Sequence, residues 1–205
     1  MAFNNYGELK AELSAYLFHQ RFLARYDSFT TLFEESANAR LRVRPMEHVT
    51  SLTTVGGEVA LPADYILWRT IKPASSTRPP QDELEYVHPA YLPTSATSGG
   101  YPALFTIVNA TLKIRPVDDV NAFEFHYYRK IPTLTGNDTN TNWLLANYPN
   151  AYLFGLMTEA GGLGRNAELA QLYKARRDEV FAEIIQVNAL TTGATSQQVR
   201  TAEYF

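Results

Sequence analysis

The spacing of apolar residues changes twice along this chain, from a helical period to an alternating one and back, and that change limits the folds open to it. Asn5 and Glu8 have the form of a capping box, and Leu9, Leu13, Tyr16 and Leu17 follow at helical spacing, so a helix is expected over 5–19. Phe29, Leu32, Phe33, Ala37, Arg40 and Leu41 keep that period in a second helix ending before Pro45, with Asp27 and Ser28 as candidate caps. The period then falls to two. Leu112 and Ile114 alternate with Thr111, Lys113 and Arg115, and Phe123, Phe125 and Tyr127 alternate with Glu124, His126 and Tyr128, which is the pattern of half-buried strands.

Further strands are expected over 49–55, 58–61, 65–71 and 104–108. Asn109-Ala110 is placed for a tight hairpin, with Gly56-Gly57 and 116–119 as other turns. Proline-rich stretches at 73–80 and 89–102 cannot lie in central strands and are expected as surface loops. After the polar run 135–142, Trp143-Leu144-Leu145 opens a helical turn, and Pro149 suits the first position of a new helix with Tyr152, Leu153, Leu156, Met157 and Ala160 as its buried stripe. Gly161-Gly162-Leu163-Gly164 is expected to stop that helix. Asn166 caps the next, whose apolar positions Leu169, Leu172, Tyr173, Val180, Phe181 and Ile184 run to about Val187.

These signals predict an α+β fold: an antiparallel helical bundle formed by N- and C-terminal helices, an inserted antiparallel β subdomain, and an extended C-terminal arm. The boundaries read as 1–44 with 141–190 for the discontinuous bundle, 45–132 for the β-rich insertion, 133–140 for a connecting loop and 191–205 for the arm. The arm is rich in Thr, Ser, Gln, Ala and Gly without a sustained period, so it is expected to be mobile until a partner holds it.

Composition removes several function classes. With 18 Lys and Arg against 21 Asp and Glu, the net charge of −3 is no footprint for nucleic acid over the whole chain. The absence of cysteine excludes disulfides and thiolate chemistry. Glu8, Lys10 and Glu12 interrupt any signal-like apolar run, and no stretch approaches the roughly 20 apolar residues of a membrane span, so a soluble protein is expected, without a signal peptide or membrane contact. His19, His48, His88 and His126 are scattered, which gives no metal site, and no cofactor is expected.

The residues 161–166 resemble a phosphate cradle only superficially, because they follow a helix and lack the Lys-Ser/Thr pair. The pairs Glu34-Glu35, Asp82-Glu83 and Asp118-Asp119 read as a helix exterior and two turns, not as opposed carboxylates, and no nucleophile elbow is present. The chain is therefore not expected to be an enzyme. Arg40, Arg42 and Arg44 form the strongest basic cluster, available to phosphates, to a partner, or to the carbonyl end of their own helix.

Several segments together resemble the tailed-phage head-to-tail adaptor (connector or neck) proteins. They are 38–44 with Met46-Glu47, the run 61–65 leading into a strand, 127–132, Asn142-Trp143-Leu144-Leu145, 148–155 and the final helix. The resemblance implies a virion structural protein at the head-tail junction, assembled in the host cytoplasm. It implies a homo-oligomeric ring, commonly of about twelve subunits, beneath the portal protein, extending the channel for double-stranded DNA and docking a downstream tail or neck protein. It further implies that 191–205 reaches toward the portal, so Arg40, Arg42, Arg44, Gln198, Val199, Arg200, Tyr204 and Phe205 are the expected partner-binding residues. The competing readings are a tail-associated carbohydrate-active or cell-wall hydrolase and a DNA-binding packaging factor.

Overall fold

The computed structural model describes residues 3–16, 24–74, 83–93, 101–117, 122–164 and 166–201; parts of the expected turn at 116–119 and of the 73–80 and 89–102 loops, and residues 17–19 of the first helix, lie outside the described residues. The chain divides into two units, Met1–Pro45 with Ile131–Phe205, and Met46–Lys130.

In the first unit, α1 (Tyr6–Tyr16) begins as its sequence dictates: the Glu8 N–H donates to Asn5 Oδ1 at 2.9 Å, while the Glu8 carboxylate accepts the Asn4 N–H at 2.7 Å. Two more first-turn donors, the N–H groups of Tyr6 and Gly7, are taken by the carbonyls of Asn140 and Asp138. Tyr6, Leu9 and Leu13 are buried.

The second helix, α2 (Tyr26–Arg40), starts ahead of the expected caps and has no side-chain cap. Asp27 is used differently, accepting the Tyr6 hydroxyl at 2.7 Å. Its buried face is Tyr26, Phe29, Thr30, Phe33, Glu34 and Ala37, whereas Leu32, expected inside, is half exposed. Asn142 caps α3 (Trp143–Asn147) by accepting the Leu145 N–H at 2.9 Å, and Pro149 opens α4 (Pro149–Leu163). Helix α4 packs against α1, α2, α3 and α5 (Ala167–Thr201).

Gly155 is where α2 and α4 meet most closely. A Cβ there would fall 2.0 Å from Phe33 Cδ2, and Phe33 in turn lies with ring centroids 4.7 Å from Tyr152 and 6.1 Å from Phe181. Gly161 likewise admits Ala170 of α5, since a Cβ would sit 3.1 Å from Ala170 Cα. The glycine-rich stretch stops α4 as expected, but only at its far end: the helix runs through Gly161 and Gly162 to Leu163, and Gly164 is its cap. Small residues here serve helix contact.

The arm also requires correction. Helix α5 continues to Thr201, so 191–201 is helical where the sequence suggested an extended segment after Val187. The lost apolar period says only that no stripe is buried. Once a helix is anchored, each further residue adds a hydrogen bond without a new nucleation cost, and Thr, Ser, Gln and Ala carry it on.

The second unit is built on alternation. One sheet has the order β1 (Glu47–Thr53), β7 (Ala122–Arg129), β3 (Tyr65–Pro73), and the other β2 (Glu58–Ala60), β6 (Thr111–Arg115), β5 (Leu104–Val108), β4 (Glu85–Tyr86). All pairings are antiparallel except β4 with β5. The register of β1 on β7 sets Glu47 opposite Tyr128, so the first and last strands of the unit are partners. Ile71, Leu84, Phe105, Leu112, Ile114, Phe123, Phe125 and Tyr127 make the core. The β5–β6 hairpin turns through Asn109 (φ 50°) and Ala110 (φ 57°), the paired positive φ values that a two-residue loop of right-handed strands requires.

Two substitutions test this packing. Gly155→Ala drives a methyl into Phe33 and is expected to destabilise the protein by about 1–3 kcal/mol in chemical denaturation. Ala110→Gly relieves a left-handed residue and is expected to raise stability by about 0.5–1 kcal/mol on the same measurement.

Candidate interaction surfaces

The polar groups of the helical unit fall into a buried set and a surface set. The buried set centres on Glu34, which sequence placed on a helix exterior; Glu34 is 5% exposed, on the same face as Phe33 and Ala37. Its Oε1 accepts the Leu134 N–H at 2.9 Å and the Tyr152 hydroxyl at 3.1 Å. Asn142 donates to the Tyr152 oxygen at 2.6 Å and to the Pro132 carbonyl at 2.7 Å. Ile131 N–H donates to Asn38 Oδ1 at 2.9 Å. These bonds tie the returning chain, 131–142, to α2 and α4.

Burial pushes the Glu34 carboxyl above its ordinary value, against the lowering influence of the Leu134 N–H and the Thr133 and Tyr152 hydroxyls. Burial and then the Glu34 charge push the Tyr152 phenol well up. This carboxylate is occupied by hydrogen bonds, and its neighbour Glu35 is exposed. Of the other acidic pairs, Asp82, Asp118 and Asp119 lie outside the described residues, and Glu83 pairs with Lys72 at 3.5 Å.

His19 lies outside the described residues. His88 accepts the Ala90 N–H at 3.3 Å, His48 meets the Tyr127 ring edge-on at 5.6 Å, and His126 lies 3.7 Å from Glu124. Among the described residues, no group of three or more His, Cys, Asp or Glu is placed to hold a metal ion, and no helix is long and apolar enough to cross a membrane.

The arginine cluster separates on folding. Arg40 reaches Asp178 of α5 at 2.6 Å, and the buried Arg177 donates to the same oxygen at 2.9 Å. Burial raises the Asp178 carboxyl, but Arg177 and Arg40 outweigh it and hold the group below its ordinary value. Arg42 turns back onto the carbonyls of Asn38 and Leu41 at the end of its own helix. Arg44 alone of the three is exposed with no ion-pair partner among the described residues; its backbone N–H donates to Asn188 Oδ1 at 2.9 Å. Structure thus assigns Arg40 and Arg42 to internal contacts and leaves Arg44 at the surface.

Beside Arg44 is a feature the sequence did not announce, an apolar groove of ≈ 240 Å³ whose walls include Val43, Trp143, Tyr148, Ile184 and Val187. It is assembled from three chain segments far apart in sequence, which is why no motif marks it. The Trp143 Nε1 is buried and has no hydrogen-bond acceptor among the described residues. Helix α5 carries outward-facing Ile185, Val187 and Leu190 past this groove. Gln198, Val199 and Arg200 lie on the last turns of α5, while Tyr204 and Phe205 lie outside the described residues.

The family model described as SU10 adaptor protein matches residues 4–201 of the chain. No curated protein matches it.

Glu34 gives a test of the buried set. Because its folded pKa is raised, its contribution to stability is fully present below the unfolded value and is lost as pH rises through the folded one. Glu34→Gln, which still accepts the Leu134 N–H, is expected to flatten that dependence and be at least as stable at neutral pH. Glu34→Leu orphans the Leu134 donor and is expected to cost about 1–3 kcal/mol. Denaturation midpoints for the two variants across the acid-to-neutral range measure both effects.

Proposed function

The chain belongs to the SU10 adaptor protein family, a phage head-to-tail adaptor family, and on that premise we propose that it forms a ring beneath the portal, extends the DNA channel and docks the tail. One observation carries the reading: the family match runs through both helical segments and the β-rich region between them, so it rests on the whole architecture and not on one motif. The discontinuous helical bundle (1–44 and 141–190) is the ring body, with 45–132 as its β insertion and 133–140 as a connecting loop. The copy number proposed is about twelve, closed by heterologous side-by-side contacts.

Charge placement supports a conduit. A passage for DNA has to avoid the counterion-releasing grip of a basic stripe, and here Arg40 is ion-paired with Asp178 and Arg42 is hydrogen-bonded to helix carbonyls, so both guanidiniums are engaged within the chain. Glu34, the buried carboxylate that a hydrolase reading would enlist, is consumed in holding the fold. A structural part at the head-tail junction of the virion, assembled in the host cytoplasm, accommodates both facts.

The arm, 191–205, is the proposed portal contact, with Gln198, Val199 and Arg200 presented on helical turns. Deleting 191–205 is expected to leave the melting temperature of the remaining protein largely unchanged and to abolish co-sedimentation with portal-containing heads. Truncated protein that still joins heads at wild-type occupancy would remove the arm from this role.

A further inference from the structure

The groove beside Arg44 has three properties that together describe an occupant. Its walls are apolar, with Val187 left 45% exposed at the lip although its neighbour Ile184 is buried. It contains Trp143, whose indole gives an anchor ring an aromatic surface to pack on. Arg44 is among its lining residues, exposed and without an ion-pair partner among the described residues. A fitting segment therefore brings an aromatic or aliphatic anchor and a negative charge close together.

We propose that the groove receives residues 202–205 of a second copy of this chain, with Tyr204 and Phe205 as anchors and Glu203 facing Arg44. The segment Ala202-Glu203-Tyr204-Phe205 holds both chemistries within a few residues. Tyrosine combines a rigid ring with a polar tip, the combination that suits a half-wet interface pocket.

Geometry excludes the copy's own end. Thr201 lies at the end of the same helix that lines the groove from Ile184 to Thr191, and at 1.5 Å rise per residue it is about 15 Å beyond the nearest of these residues and about 26 Å beyond the farthest. Four extended residues span at most about 14 Å and would first have to reverse direction. The occupant must come from another subunit, and a contact in which one copy's end enters the next copy's groove is heterologous, the kind that closes a ring. The proposal deepens the ring reading and rests on its premise that copies meet side by side; it assigns the last four residues to the neighbouring subunit and leaves the helical turns before them to the portal.

The test uses the full chain with Trp68→Phe, so that Trp143 is the sole indole. Sedimentation and Trp143 emission are followed over a concentration series. Self-association is expected, with a Trp143 emission change that tracks it. Tyr204→Ala with Phe205→Ala removes the anchors, and Val187→Glu places a charge at an exposed lip position that tolerates it; circular dichroism confirms that both variants fold. Each alone is expected to associate roughly tenfold more weakly or worse. Mixed one to one, the intact end of the Val187→Glu chain meets the intact groove of the other, so a heterodimer forms and growth stops there.

A wild-type chain that remains monomeric at its highest soluble concentration, or a mixture that stays monomeric while wild type associates, overturns the contact. So does wild-type association by both single variants. Incorporation of both variants into portal-containing heads at normal copy number would sink this contact while leaving the ring reading intact; failure of the wild-type chain itself to occupy heads would instead sink the ring.

Discussion

The helical unit depends on one interior carboxylate that stitches together parts of the chain separated by the whole β-rich region. Past α2 the chain leaves the unit at Pro45 and returns at Ile131 with a row of backbone groups that have to be satisfied inside a packed core. Asn38 takes the Ile131 N–H, Glu34 takes the Leu134 N–H, and Asn142 takes the Pro132 carbonyl while reaching the Tyr152 hydroxyl. A buried polar group costs little only when its partners are in place, so this set behaves as a single fastening whose members stand or fall together. Above it, Phe33 seats in the space that Gly155 leaves open, which fixes how closely α2 and α4 approach.

Much of this was legible. The Asn5–Glu8 box, the Asn166 cap and Pro149 mark helix starts with chemistry that operates within four residues, so local sequence suffices to find them. Strands β6 and β7 carry clean alternation because one face meets the core. Glu34 was missed because its charge argues for solvent, although its place between Thr30 and Ala37 on the buried stripe was readable. The two-residue β4 has no pattern to read, and its pairing with β5 is set by Leu84 packing into the core. The last helix outran its apolar period because periodicity reports burial, and a helix already nucleated persists without it.

The arginines teach a related point. Three at alternate positions look like one basic surface, but alternate positions at a helix end diverge: Arg40 is still on the helix and meets α5, Arg42 folds back on the terminal carbonyls, and Arg44 stands past the turn. Only tertiary placement could separate an ion pair, a cap and a cation with no ion-pair partner among the described residues. The groove was illegible for the same reason, since Val43, Trp143 and Ile184 converge from segments that share no motif.

The antiparallel match of Glu47 with Tyr128 has a bearing on how such a chain acquires its shape. A segment whose two ends are neighbouring rungs of one ladder behaves, toward the rest of the polypeptide, like a short tether whatever its contour length. Once that ladder forms, the entropy of bringing the flanking helices together falls by roughly 3 kcal/mol relative to an unstructured connection of the same length. A change of length in the distal hairpins of the insert leaves that closure cost unaltered.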